Sequence, residues 1–124
     1  PLIIFLLCIQ MAGFSQEDYL TGTRWRLVSI EILKSHEIVI VQKNLHIRFY
    51  DTKFSYKRGV NSCFGRYEII NKNTVSMCGG GCTRLCCDGE IAKLIQFNGE
   101  ATIRIQWGEM TIRTSKHEYR YRRY

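Results

Sequence analysis

Apart from Pro1, the 124-residue chain contains no proline, so it holds no proline-rich linker or polyproline arm. Charge is absent before Glu17. Histidine is sparse, and His36, His46 and His117 are too dispersed to suggest a ligand set. A phosphate-cradling glycine loop, a dinucleotide-binding glycine fingerprint, an HExxH helix and a GxSxG elbow are all missing. With them go the usual warrants for nucleotide, metalloprotease and hydrolase chemistry. No Ser, His and carboxylate group stands in a nucleophile setting, so the expectation is a domain without enzymatic activity or cofactor. Acidic residues are the minority, eleven against eighteen Lys and Arg, for a formal charge of +7 and a pI near 9.3. That balance favours anionic partners and carries no information on fold.

The uncharged start has a meaning of its own. Residues 2–9 form an apolar run of the length of a signal-peptide core, and Gly13 and Ser15 satisfy the small-residue preference for cleavage after Ser15. The stretch falls short of the ~20 residues that span a bilayer. A lipid-anchored reading through Cys8 is weakened by Leu7, which stands where a small residue belongs. Residues 1–15 therefore read as a leader entered part-way along, and residues 16–124 as one exported domain. Export predicts a periplasmic or extracellular location in a bacterial envelope.

Period-two alternation dominates the remainder. Leu45, Ile47 and Phe49 alternate with polar residues, as do Ala101, Ile103, Ile105 and Trp107. Trp25 and Leu27, Phe54 and Tyr56, and Tyr119 and Tyr121 repeat the pattern. Such segments are half-buried antiparallel strands. Turn residues at 51–52, 58–59, 71–73, 98–99 and 108–109 separate them. Strands are expected over 24–30, 37–42, 45–50, 53–57, 64–70, 73–77, 101–107, 109–114 and 117–123. The fold class is mainly β, an antiparallel meander forming a small barrel or half-barrel. One segment departs from it: Ile91, Leu94 and Ile95 recur at helical spacing behind Asp88, an N-capping residue, and before Asn98-Gly99. A short α-helix is expected over 88–97, its apolar side against the sheet.

Beyond the leader the cysteines are Cys63, Cys78, Cys82, Cys86 and Cys87. Reduced, the last four could hold zinc or copper(I) with Met77 adding a thioether, but in an oxidising compartment disulfides are favoured and no metal is expected. The odd count leaves one thiol unpaired. Cys63 is expected to be tied to the 78–87 loop, through Cys82, Cys86 or Cys87, and a vicinal Cys86–Cys87 bridge ranks last. Redox catalysis has little support, because no CxxC opens a helix. Cys87, directly before the expected cap, is the thiol whose pKa a helix N-terminus would lower.

Gly59-Val60-Asn61-Ser62-Cys63-Phe64-Gly65-Arg66-Tyr67 resembles the Gly-Cys-Asn-x-aromatic-x-Gly-x-Tyr segment of META domains, the HslJ-like family. Thr83-Arg84-Leu85-Cys86-Cys87 resembles that family's Thr-Arg-Met-x-Cys, and Gly22–Leu27 resembles its first strand. Gly59, Asn61, Gly65, Tyr67, Thr83, Arg84 and Cys87 are the positions that carry the likeness. Val60 replaces the family cysteine, Cys63 stands where an aromatic is usual, and Cys78, Cys82 and Cys86 are additions. The resemblance implies a small, mostly-β exported domain linked to stress response, envelope integrity or motility, with no reaction attached. On physical grounds Gly59 suits a turn at positive φ, Asn61 caps backbone groups and Gly65 admits a close neighbour.

Two features point to partners. In the tail, Tyr119, Tyr121 and Tyr124 interleave with Arg120, Arg122 and Arg123, a pattern that can bind nucleic acid. Export argues against nucleic acid and for a final strand, with anionic lipid or another envelope component as the use of the charge and a monomer as the expected state. Gly22-Thr23-Arg24-Trp25 also evokes lipocalins, in which the Trp would sit at the barrel base under a late arginine such as Arg113 or Arg122. That alternative predicts a small apolar ligand, although small barrels fill their interiors with side chains.

Overall fold

The computed structural model describes residues 17–124, so the expected leader and Cys8 lie outside the described residues. Nine strands follow one another: β1 (Arg24–Ile32), β2 (Glu37–Ile40), β3 (His46–Tyr50), β4 (Lys53–Arg58), β5 (Asn61–Asn71), β6 (Thr74–Cys82), β7 (Gly99–Gln106), β8 (Glu109–Arg113) and β9 (His117–Arg123). Every pairing is antiparallel, and β3 to β9 form an unbroken meander. The sheet closes because β1 pairs with β3 along one edge and with β9 along the other, giving an eight-stranded barrel. β2 stands outside the barrel, paired only to the far half of β1. Among the described residues no helix is long and apolar enough to cross a membrane.

The alternation read from the sequence decides what lies inside. Trp25, Leu27, Ile47, Phe49, Phe54, Tyr56, Tyr67, Met77, Ile103, Met110, Ile112, Tyr119 and Tyr121 all point into the barrel and are buried. Their rings pack edge to face: Phe49 on Tyr67 at 5.2 Å between centroids, and Phe97 on Tyr56 at 5.0 Å. Such pairs add to the stabilisation that burial alone provides. The interior is filled by side chains.

Three expectations need correction. The α-helix expected over 88–97 is a five-residue 3₁₀ turn, Glu90–Leu94, whose N-cap is Gly89 without a side-chain bond. The apolar spacing was read correctly as inward-facing, since Ile95 is buried and Ile91 and Leu94 pack against the core. Asp88, however, spends its carboxylate elsewhere, and Phe97 is drawn into the barrel mouth, so the turn cannot lengthen. Second, β5 and β6 run further than expected. Gly79 and Gly81 lie in β6 opposite Gly65 and Phe64, not in a loose loop. At Gly65 a side chain would collide with the Cys78 carbonyl and lie 2.6 Å from the Phe54 ring, so the chains approach here only because both sides are bare. Third, the apolar face of β7 stops at Ile103. Ile105 is 40% exposed and Trp107 89% exposed.

Trp107 and Gly108 form the β7–β8 turn, both at positive φ, 57° and 75°. Tight hairpins need such a pair, and Asn-Gly is the sequence that normally supplies it. A bulky residue in the left-handed region costs about 1–2 kcal/mol.

Candidate functional site

At the barrel end closed by the 3₁₀ turn, the start of β5 meets the segment after β6. Asn61 is buried there and uses its whole amide. Its Nδ2 donates to the Leu85 carbonyl at 3.1 Å and to Asp88 Oδ2 at 2.9 Å. Its Oδ1 accepts from the Leu85 N–H at 2.7 Å and the Thr83 hydroxyl at 2.8 Å. Asp88 Oδ1 in turn accepts the N–H groups of Val60 and Asn61, at 2.8 and 3.3 Å. Gly59 makes this contact possible: at φ 83° it turns the chain, and a Cβ there would lie 2.6 Å from Asp88 Oδ1. Arg58 completes the join by donating from Nε to the Ala92 carbonyl at 2.7 Å.

The latch thus brings together Gly59, Asn61 and Thr83 of the sequence-predicted set. Gly65 lies deeper in the β5–β6 ladder, opposite Gly79. Arg84 is exposed. Tyr67 is at the opposite end of the barrel, where its hydroxyl donates to Asp18 at 2.9 Å and lies 2.9 Å from the Thr21 hydroxyl; burial foremost pushes its pKa up. Asp88, expected as a helix cap, and Leu85, a member of the Thr83–Cys87 motif, also belong to the latch. The signal available was the pairing of a capping carboxylate with a glycine turn far upstream, which no local pattern exposes.

Asp88 is held below its ordinary carboxylate pKa of 3.8, chiefly by the Asn61 amide, with the Val60 and Asn61 N–H groups adding to it. A lowered folded pKa makes its stabilisation present above 3.8 and lost as the pH falls from there through the lower folded value. Unfolding curves between about pH 5 and pH 2 should show native stability declining below the ordinary carboxylate value. Asp88→Asn should show a shallower decline. Equal slopes in the two proteins would disprove this linkage.

The cysteines flank the latch. Cys63 is bridged to Cys82, its cross-strand partner, and Cys86 to its neighbour Cys87. The vicinal bridge ranked last is therefore formed. Its second member, Cys87, sits at φ 82°, a conformation that brings adjacent residues round on each other. The unpaired thiol is also corrected: Cys78 too is disulfide-bonded, and no described cysteine is free. Cys87 consequently has no thiol for a helix N-terminus to activate. Among the described residues, no group of three His, Cys, Asp or Glu is placed to hold a metal ion.

What the latch can do chemically follows from its satisfied state. Asn61 has no spare donor or acceptor, so its amide fixes backbone. Tyr119 performs a similar task from inside the barrel, donating to the Leu94 carbonyl at 2.5 Å and accepting the Gln96 N–H at 3.2 Å. Burial pushes its pKa up to about 12.

The other barrel end is cationic. Arg24 and Arg48 are direct cross-strand partners, as are Arg26 and Arg122. Arg123 lies 5.0 Å over the Trp25 ring. The arginine covering Trp25 is thus Arg123, not Arg113 or Arg122. On β9 the inward register runs Tyr119, Tyr121, Arg123, whereas Arg122 faces out towards Glu109 and Arg113 pairs with Glu118 at 3.1 Å.

A META domain model matches residues 18–123. No curated protein matches the sequence. Among solved structures, the chain is similar to the NMR structure of a protein from Burkholderia xenovorans, at a TM-score of 0.63 and 15% identity, over 85% of this chain and 83% of that one. At that identity the likeness concerns the fold alone.

Proposed function

Because the chain belongs to the META domain family, we propose that it is an exported, non-enzymatic binding domain of the bacterial envelope with a role in stress response. The observation that carries this reading is the oxidised cysteine segment: two bridges fasten β5, β6 and the latch, and no described thiol is free. Disulfides persist in oxidising compartments and are rare in the cytosol. Binding is assigned to the outer surface. An apolar ligand of the lipocalin kind would need the space that Trp25, Phe49, Phe54, Tyr67, Phe97, Tyr119 and Tyr121 occupy. A thiol-metal or thiol-redox role would need sulfurs that are tied up in bridges.

Expression of the full chain in a Gram-negative host, followed by fractionation and thiol alkylation, tests the reading. The protein is expected in the periplasmic fraction with Cys63, Cys82, Cys86 and Cys87 protected from alkylation, and an apolar fluorescent dye should gain no emission on mixing with it. A folded, reduced protein retained in the cytoplasm would overturn export. Stoichiometric dye uptake would restore the ligand-holding barrel.

A further inference from the structure

The β7–β8 turn places a tryptophan where the backbone favours asparagine, and the side chain recovers nothing by packing, since it is 89% exposed. A residue kept at a cost to the fold and left in water has its use at a surface. Ile105, on the same strand end, is 40% exposed. The turn is continuous with the cationic rim, because the Gly108 carbonyl accepts the Arg123 N–H at 2.9 Å and the Arg24 carbonyl accepts the Tyr124 N–H at 3.0 Å.

The arginines of this rim are arranged against their own stability. Arg24 faces Arg48, and Arg26 faces Arg122, where like charges opposed across a ladder repel. Arg122 has a partner at 4.0 Å in Glu109, and Asp18 and Asp51 lie at the Thr21 edge of the rim, Asp18 accepting the Thr21 N–H and the Asp51 N–H donating to the Thr21 hydroxyl, both at 3.0 Å. Arg24 lies 4.5 Å over the Tyr124 ring and Arg48 5.2 Å over that of Tyr50. Ring contacts of this kind orient a guanidinium while leaving its N–H groups free for phosphate oxygens. Between these side chains lies a cleft of about 440 Å³, lined also by Gly22, Thr23 and Arg123.

We infer that this rim is a docking surface for an anionic lipid bilayer, with Trp107 and Ile105 entering the headgroup layer and Arg24, Arg48, Arg122 and Arg123 holding lipid phosphates. Tryptophan suits this place because one part of its ring is apolar and its N–H stays wet, which is why it gathers at membrane interfaces. An exposed aromatic at a turn beside a row of arginines on β9, β1 and β3 is complementary to a deformable anionic sheet. The inference rests on the outer-surface reading given above and deepens it by naming the partner.

The chain has two tryptophans, Trp25 buried and Trp107 exposed, so fluorescence reports on the apex directly. Full-length protein is mixed with phosphatidylcholine vesicles and with vesicles rich in phosphatidylglycerol. The anionic vesicles are expected to sediment the protein and shift its emission to the blue, and the neutral ones to do neither. Trp107→Asn, which suits the turn and should fold at least as stably, is expected to abolish the shift and weaken partitioning about tenfold or more. Arg24→Gln with Arg48→Gln removes a repelling pair and should weaken partitioning by about 25-fold, roughly fivefold per charge. Soluble glycerol phosphate should not compete. Failure to sediment with anionic vesicles, binding untouched by these variants, or displacement by glycerol phosphate would each overturn the bilayer. None of those results alters the dye and fractionation outcomes, so the two readings fail separately.

Discussion

Replacing Asn61 by alanine is expected to lower stability by about 2–3 kcal/mol, because it removes a buried amide that makes four hydrogen bonds to part-buried partners at once. The Leu85 carbonyl and N–H, the Thr83 hydroxyl and Asp88 Oδ2 all lose a partner at 2.7 to 3.1 Å. For a domain of this size the melting temperature should fall by roughly 10–20 °C. Asn61→Asp should be at least as harmful, since it sets a second carboxylate against Asp88 and removes both amide donors. A cycle with Asp88→Ala should be strongly non-additive, because each change disables the same join. A loss below about 1 kcal/mol for Asn61→Ala would mean that water replaces the side chain and that the latch is not a unit.

Removing the Cys63–Cys82 bridge by alanine at both positions should also cost about 3 kcal/mol, as the chain-entropy model gives for a loop of this order. The bridge spans a sequence separation of 19 and ties the upper ends of two long strands. The Cys86–Cys87 bridge has a separation of 1, closes no loop, and should cost less than about 1 kcal/mol when removed in the same way. Denaturant unfolding of the two double variants under non-reducing conditions separates the cases. Equal losses would show that the bridges act by something other than loop closure.

The strands were legible because inward and outward residues alternate without interruption in Leu45–Tyr50 or Ala101–Ile103, and closed barrels reward that alternation on every strand. Legibility failed where the alternation was hidden. Cys78 to Cys82 carries three glycines and offers no period, yet it is strand, because the partner strand supplies a bare Gly65 and a bulge beside Phe64. The segment after Asp88 had a helical period, but its period described which residues reach the core, not how the backbone travels. The latch shows the same limit. Asn61 and Asp88 were each recognised as capping residues, and each caps, but their partners are set by the register of β5 and the return of the chain under the barrel. At the other end, Trp107 read as the last apolar residue of a strand; only the turn geometry reveals that it lies past the strand and outside the core.

The seam between β1 and β9 joins Trp25–Ile32 to His117–Arg123, the first strand of the barrel to the last. Nearly the whole chain must be ordered before this pairing repays the entropy of closing it, so closure belongs late in folding. During synthesis the nascent chain cannot complete the barrel until β9 has left the ribosome. A polypeptide stopped before Lys116 presents two unpaired sheet edges, those of β1 and β8, which invite pairing with other chains. On the export route proposed above, that delay would be useful, since the chain would remain threadable for as long as its last strand is still being made.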